Sequence, residues 1–243
     1  MHWTPRREKF RAILAGDKCI HPGSVYDAMS ARCAEDIGFE LGMFAGSTAS
    51  MAVLGSPDLI VLTLTEFAGQ AYRINRAGNL PLLVDADHGY GNALNVKRTI
   101  EELETAGVAG LTIEDTDLPR PYGTTKPQLI SIEEGVGKMK AALAGRQDKS
   151  LAIAGRTSAV GINGVEDGIA RAKAYAKAGV DAMFFAGIKN KADMEAIAAE
   201  VKIPIFLGST PPEINDLPYL GTQGVRVALQ GHMPIHAAVQ ATY

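Results

Sequence analysis

Short apolar runs recur along the chain, and most lack the alternation of a half-exposed strand; Leu82-Leu83-Val84, Leu111-Thr112-Ile113 and Met183-Phe184-Phe185 are representative. Runs of this kind suit parallel strands covered on both faces. Amphipathic stretches ending on a glycine come just before many of them, most clearly at Gly38, Gly78, Gly107 and Gly179, which read as helix C-caps. The repeating phrase is helix, glycine, strand. It predicts strands near 19–24, 41–47, 82–87, 110–115, 151–157, 182–187, 204–209 and 225–230. Helices are predicted over roughly 27–37, 65–77, 93–106, 132–145, 165–178, 191–201, 212–221 and from 232 onward.

Strict alternation of strand and helix over this length is the pattern of an α/β (β/α)8 barrel of the TIM type. The alternative, a doubly wound open sheet, is disfavoured because no Gly-x-Gly-x-x-Gly follows the first strand and eight units exceed the usual six or so. An extra N-terminal helix over 4–14, with Thr4 as N-cap, Pro5 in its first turn and Phe10, Ile13 and Leu14 on one face, is placed to close the bottom of the barrel. No domain boundary is visible, so residues 1–243 read as one domain. The segment 116–128 lacks periodicity and carries Pro119, Pro121, Gly123 and Pro127, as expected for a gate over a site at the strand ends.

Composition narrows the function classes. Lys and Arg total 24 against 27 Asp and Glu, a net charge of -3, so no basic excess is available to track a phosphate backbone and nucleic acid is excluded as a partner. No apolar run approaches the ~20 residues of a membrane span, and the polar start does not read as a signal peptide. Cys19 and Cys33 form neither a CxxC motif nor a disulfide framework. The expected protein is cytoplasmic, with no membrane partner.

In a barrel enzyme, chemistry sits where strands end, and those positions are strongly polar here. They are Ser24, Gly46-Ser47-Thr48, Asp85-Ala86-Asp87-His88, Glu114-Asp115, Arg156-Thr157 and Gln230-Gly231-His232. Asp85 and Asp87, two apart on an extended chain, are expected on one side of strand 3, facing Glu114. Three crowded carboxylates hold protons unless a cation neutralises them, and their all-oxygen character favours Mg2+, or Mn2+ as a substitute, over zinc. The alternative is that either Asp caps a helix or stabilises the turn at Gly89 and Gly91. Arg156 offers a planar fork for a substrate carboxylate; its alternative is an ion pair with Glu114 or Asp115. His232 is a donor or proton carrier, or else a local hydrogen-bonding residue at a helix start. Ser47 and Thr48 offer hydroxyl and N–H donors to an anion, or end strand 2. Together these imply a small anionic substrate such as a 2-oxo acid, whose enolate a divalent cation stabilises while a bond at C3 breaks.

The segment Val84-Asp85-Ala86-Asp87-His88-Gly89-Tyr90-Gly91, with Ile113-Glu114-Asp115, Arg156-Thr157 and Ser24-Val25-Tyr26-Asp27-Ala28, resembles the isocitrate lyase / phosphoenolpyruvate mutase superfamily over almost the whole chain. The resemblance implies a (β/α)8 barrel, Mg2+ and 2-oxo acid substrates. Carried over, Asp85 ligates the metal directly, Asp87 and Glu114 act mainly through coordinated water, and Ser47 with the backbone of Gly46 and Thr48 holds one end of the substrate. Arg156 binds the substrate carboxylate, and Asp58 matches a further polar position. The gate lacks the Lys-Cys-Gly-His of the carbon–carbon lyases and the Asn-Ser of the phosphonomutases. The run 87–96, with Glu114-Asp115-Thr116 and Gly231-His232, is instead similar to the branch that decarboxylates oxaloacetate to pyruvate, where a His at the position of His232 contacts substrate. Carbon–carbon or carbon–phosphorus lyase or mutase chemistry, and a non-catalytic 2-oxo acid binding protein, are the other expectations. The segment 208–212 lacks the Tyr expected from that branch. A homo-oligomer, dimer or tetramer, is expected, although the chain ends at Tyr243, before the C-terminal helices that exchange between subunits in the superfamily.

Overall fold

A computed structural model describes residues 2–243. Eight parallel strands follow one another in sheet order: β1 (Gly23–Ser24), β2 (Gly42–Phe44), β3 (Leu82–Asp85), β4 (Gly110–Glu114), β5 (Ala152–Thr157), β6 (Ala182–Phe185), β7 (Ile205–Leu207) and β8 (Val225–Ala228). Ile20 closes the ring, since its N–H donates to the Arg226 carbonyl and its own carbonyl accepts from the Ala228 N–H, both at 3.0 Å. The strands are short and apolar because each is covered inside and out. Around them run α1 (Thr4–Ala15), α2 (Ala28–Ile37), α3 (Gly46–Ala49), α4 (Leu64–Ala77), α5 (Ala93–Thr105), α6 (Ile132–Gly145), α7 (Ala159–Ile162), α8 (Val165–Ala178), α9 (Lys191–Glu200), α10 (Leu217–Thr222) and α11 (Met233–Thr242). None of the described helices is long and apolar enough to cross a membrane.

Two cores result. One lies between strands and helices; the other fills the barrel with Leu41, Met43, Leu83, Phe184, Phe206 and Val227. Phe10 and Leu14 of α1 belong to the inner core, so this helix plugs the barrel from below as its apolar face predicts. Gly110 makes room: a Cβ there would overlap the Phe10 ring. Arg7, fully buried, binds the plug by donating to the Val108 and Glu104 carbonyls at 2.9 and 2.6 Å and pairing with Asp148 at 2.7 Å. Phe10→Ala is expected to destabilise the fold by about 3–5 kcal/mol, read as a lower urea midpoint with an unchanged m-value.

Local chemistry explains most boundaries. Asp27, Thr63 and Asn92 each form a reciprocal capping box at the start of α2, α4 and α5. Four expectations fail at this level. Trp3, not Thr4, occupies the N-cap of α1, and the Thr4 hydroxyl instead donates to Asp148 at 2.9 Å. Gly78 is extended (φ -159°) and not left-handed; its bare Cα leaves space for the Glu35 carboxylate, which accepts the Asn79 N–H. The helix expected over 212–221 splits into a 3-10 turn, Pro212–Ile214, and α10, because Pro218 has no N–H to continue a helix. Strand 2 stops at Phe44, so Gly46, Ser47 and Thr48 lie in α3 and lead into a π-turn, Ser50–Leu54.

Candidate active site

The C-terminal ends of the strands surround a cavity of about 830 Å³ lined by acidic, basic and apolar groups. A second hollow, about 570 Å³, lies at the opposite face beside α1 and contains none of the residues at the strand ends.

Asp85 closes β3 and is fixed by three donors: the Thr112 hydroxyl at 3.0 Å, the Asp87 N–H at 3.3 Å and the Arg156 guanidinium, with which it forms an ion pair. Glu114 closes β4, accepts from the Thr116 hydroxyl at 2.8 Å and lies 3.6 Å from Arg156. Asp87 also lines the cavity, but by a different route from the expected strand alternation. β3 has ended, and Asp87 adopts a left-handed conformation (φ 47°) in a tight loop whose Asp87 carbonyl accepts the Glu114 N–H at 2.8 Å. Its carboxylate rests on Gly46, where a Cβ would sit 2.7 Å from both oxygens. Gly46 therefore contributes space at the site.

Ser47 lines the cavity, and as the second and third residues of α3, Ser47 and Thr48 present backbone N–H groups without intrahelical acceptors. The Thr48 hydroxyl is not offered to the cavity, because it is buried and donates to the Ala45 carbonyl at 2.9 Å. Arg156 near the end of β5 lies over the Phe184 ring at 5.2 Å, and its buried Nε has no partner among the described residues. Of its two alternative partners, Glu114 is met and Asp115 is not. Asp115 points away, fully buried, and accepts from Arg171 at 3.0 Å and Tyr175 at 2.8 Å. His232, the N-cap residue of α11, faces the cavity, and its Nδ1 lies 2.9 Å from the Ser24 hydroxyl.

The electrostatics are those of an acidic pocket short of cations. Burial, then repulsion from Asp85, Glu114 and Asp58, raises the Asp87 carboxyl well above the usual range. Burial likewise raises Glu114 against the pull of Arg156, and raises Asp58 with help from Asp85. Burial opposes charge on Arg156, but Asp85, Glu114 and Asp87 outweigh it and hold the guanidinium firmly charged. Burial lowers the His232 pKa against the pull of Asp85 and so favours the neutral ring. Four carboxylates thus share the cavity with one buried guanidinium, an imbalance that a divalent cation relieves. Among the described residues no three Asp, Glu, His or Cys side chains close into a ready-made cage. The donor set that Asp85, Asp87 and Glu114 bring to the cavity is all oxygen, which fits a hard ion that takes one or two carboxylates and keeps its waters.

Two features, Arg120 and Lys138, escaped the sequence reading, and Asp58 was named there only as matching a further polar position. Asp58 is carried into the cavity by a turn in which Ile60, a β-branched residue, has φ 57°. Arg120 reaches the rim from the gate, whose ends are pinned by the Thr116–Leu129 bridge and the Asp117 N–H to Gln128 carbonyl bond at 2.8 Å. Lys138, buried on α6, donates to the His88 carbonyl at 3.0 Å behind the Asp87 loop. Its signal was present: a lysine on the stripe of Gly135, Met139 and Ala142 that α6 buries. His88 is a core residue whose pKa burial lowers to about 4.

The phosphoenolpyruvate phosphomutase family model matches residues 10–243. Over all 243 residues the chain is 63% identical to oxaloacetate decarboxylase of Bradyrhizobium diazoefficiens and 60% identical to oxaloacetate decarboxylase of Rhodopseudomonas palustris strain BisB18, covering 84% of each. Oxaloacetate acetylhydrolase in complex with 3,3-difluorooxalacetate is 28% identical with a TM-score of 0.87 over 98% of this chain and 85% of that one. Phosphonopyruvate hydrolase in complex with oxalate and Mg2+ is 26% identical with a TM-score of 0.85 over 98% and 84%.

Proposed function

We propose that this chain, which belongs to the phosphoenolpyruvate phosphomutase family, is a carboxy-lyase that converts oxaloacetate to pyruvate and CO2 with the help of Mg2+. The observation that carries this reading is the 58–63% identity, over the whole chain, to relatives named oxaloacetate decarboxylase. The cavity's chemistry supports it independently, with anion-binding donors set beside an excess of carboxylates.

Asp85, Asp87 and Glu114 are the residues that would hold the cation, whose contribution when bound is to stabilise negative charge developing on the 2-oxo oxygen. Arg156 binds a substrate carboxylate through its planar fork, supported from below by Phe184. Ser47 and the Ser47 and Thr48 N–H groups receive the other end of the dianion. His232 donates to a substrate oxygen. The C3–C4 bond breaks, its electron pair enters the enolate, CO2 leaves, and a proton delivered to C3 gives pyruvate. No cysteine is needed for this sequence of events, consistent with a gate that has none. The gate over 116–128 covers the rim and restricts water.

The reading extends to a cytoplasmic enzyme, supported by two free cysteines, and to a homo-oligomer, supported by Met233 and Val239 exposed on α11. The decisive experiment measures CO2 release from oxaloacetate against Mg2+ alone, since the free ion also promotes the reaction. Purified protein with Mg2+ or Mn2+ is expected to exceed that control by orders of magnitude, to lose activity in EDTA and to regain it on metal addition. A rate equal to the metal-only control sinks the proposal. In that event NMR product analysis with substituted malates and phosphonopyruvate identifies carbon–carbon or carbon–phosphorus cleavage. Binding of oxalate without turnover of any substrate identifies a binding protein.

A further inference from the structure

His232 stands on soft ground. It follows Gly231 (φ 86°), makes no capping bond with its own helix, and begins an α11 in which only Ile235 is buried. Nothing local fixes the imidazole. The one side-chain hydrogen bond to the ring among the described residues comes from Ser24, 208 positions away in sequence and across the seam where β1 meets β8. Ser24 is well anchored, since β1 pairs with β2 in register and the next N–H, of Val25, donates to the Met43 carbonyl at 2.9 Å. Its hydroxyl has no other side-chain partner among the described residues.

A neutral imidazole has one donor nitrogen and one acceptor. The carboxylates that line the cavity with His232 and whose charge reaches it, Asp85 and Asp58, are acceptors when ionised, and so are the oxygens of an anionic substrate; His236, one turn along α11, adds only a like charge when protonated. Nε2 must then carry the proton, and Nδ1 must accept. The Ser24 hydroxyl can supply that donor, because it rotates to suit its partner.

We propose that Ser24 is a positioning residue for His232: its hydroxyl donates to Nδ1, holds the ring as the Nε2–H tautomer and aims that N–H into the cavity. The consequence rests on the reading of His232 as a donor to substrate. Ser24 itself touches no reacting atom and acts only through the ring.

Two readouts test it separately. In 15N NMR of the labelled protein without substrate, the His232 signals are expected to show an unprotonated Nδ1 and a protonated Nε2, and Ser24→Ala is expected to mix the tautomers. In kinetics, Ser24→Ala is expected to lower kcat/KM about tenfold, and Ser24→Thr, which keeps the hydroxyl on a strand-compatible residue, is expected to restore it. In a His232→Ala background, Ser24→Ala is expected to cost nothing further, as for two residues acting as one unit. A protonated Nδ1 in the parent protein, or full additivity of the two substitutions, overturns the proposal. Because the NMR arm needs no turnover, failure of oxaloacetate decarboxylation would overturn the functional reading while the tautomer still decides the role of Ser24.

Discussion

Asp85→Ala is expected to abolish decarboxylation, lowering kcat/KM at least about 10³-fold, and to remove the Mg2+-dependent rise in Tm expected of the parent protein. The expectation follows from position. Asp85 alone among the four cavity carboxylates is held by a hydroxyl, a backbone N–H and a guanidinium at once, so its oxygens are fixed before any ligand arrives. Asp87 and Glu114 are more deeply buried, and burial raises both carboxyls, so neither can replace Asp85 as the first anion offered to a cation. Asp85→Asn separates charge from shape: it keeps the Thr112 contact as an acceptor and is expected to lose metal response as fully as alanine. Mg2+ titration followed by calorimetry reads the loss directly. Activity within tenfold of the parent, at saturating Mg2+, would remove Asp85 from the metal site.

Architecture and site were legible in the sequence to different depths, for physical reasons. Covered parallel strands must be apolar throughout, so the runs at 82, 111 and 183 announced themselves, and the polar residues that interrupt them had to be strand ends. Asp85, Glu114, Arg156 and His232 were readable for that reason, and the structure brings all four to one cavity. Legibility failed where backbone leaves its regular path. Asp87 was readable as a site residue but its route was not, since it and Ile60 reach the cavity through positive φ, which no periodicity encodes, and α3 with its π-turn is too short to show a helical stripe. It failed again where the contact is long range. The fully buried Arg7 and the Ser24–His232 bond join segments about 100 to 200 residues apart, and only the closed barrel brings them together.

Arg156→Ala is expected to lower kcat/KM by about 10²–10⁴-fold while leaving Mg2+ binding intact, the opposite split from Asp85→Ala. Removing the guanidinium deletes the only buried cation of the cavity among the described residues, with its charge-assisted bonds, so substrate affinity and charge stabilisation fall together. The site that remains is more negative in net charge, not less, so the cation it attracts is bound at least as well. Arg156→Lys tests geometry against charge: lysine restores a positive point but not the fork that spans Asp85 and Glu114 and lies over Phe184. It is expected to recover less than about a tenth of the lost kcat/KM. Without metal, Arg156→Ala is expected to be less stable than the parent, because Asp85 and Glu114 lose their partner in a half-dry site, and Mg2+ is expected to raise its Tm by more than it raises the parent's. If Arg156→Ala instead lost metal binding along with activity, the guanidinium would be a brace for Asp85, and the substrate carboxylate would have to be held elsewhere, with Arg120 at the rim the next residue to replace.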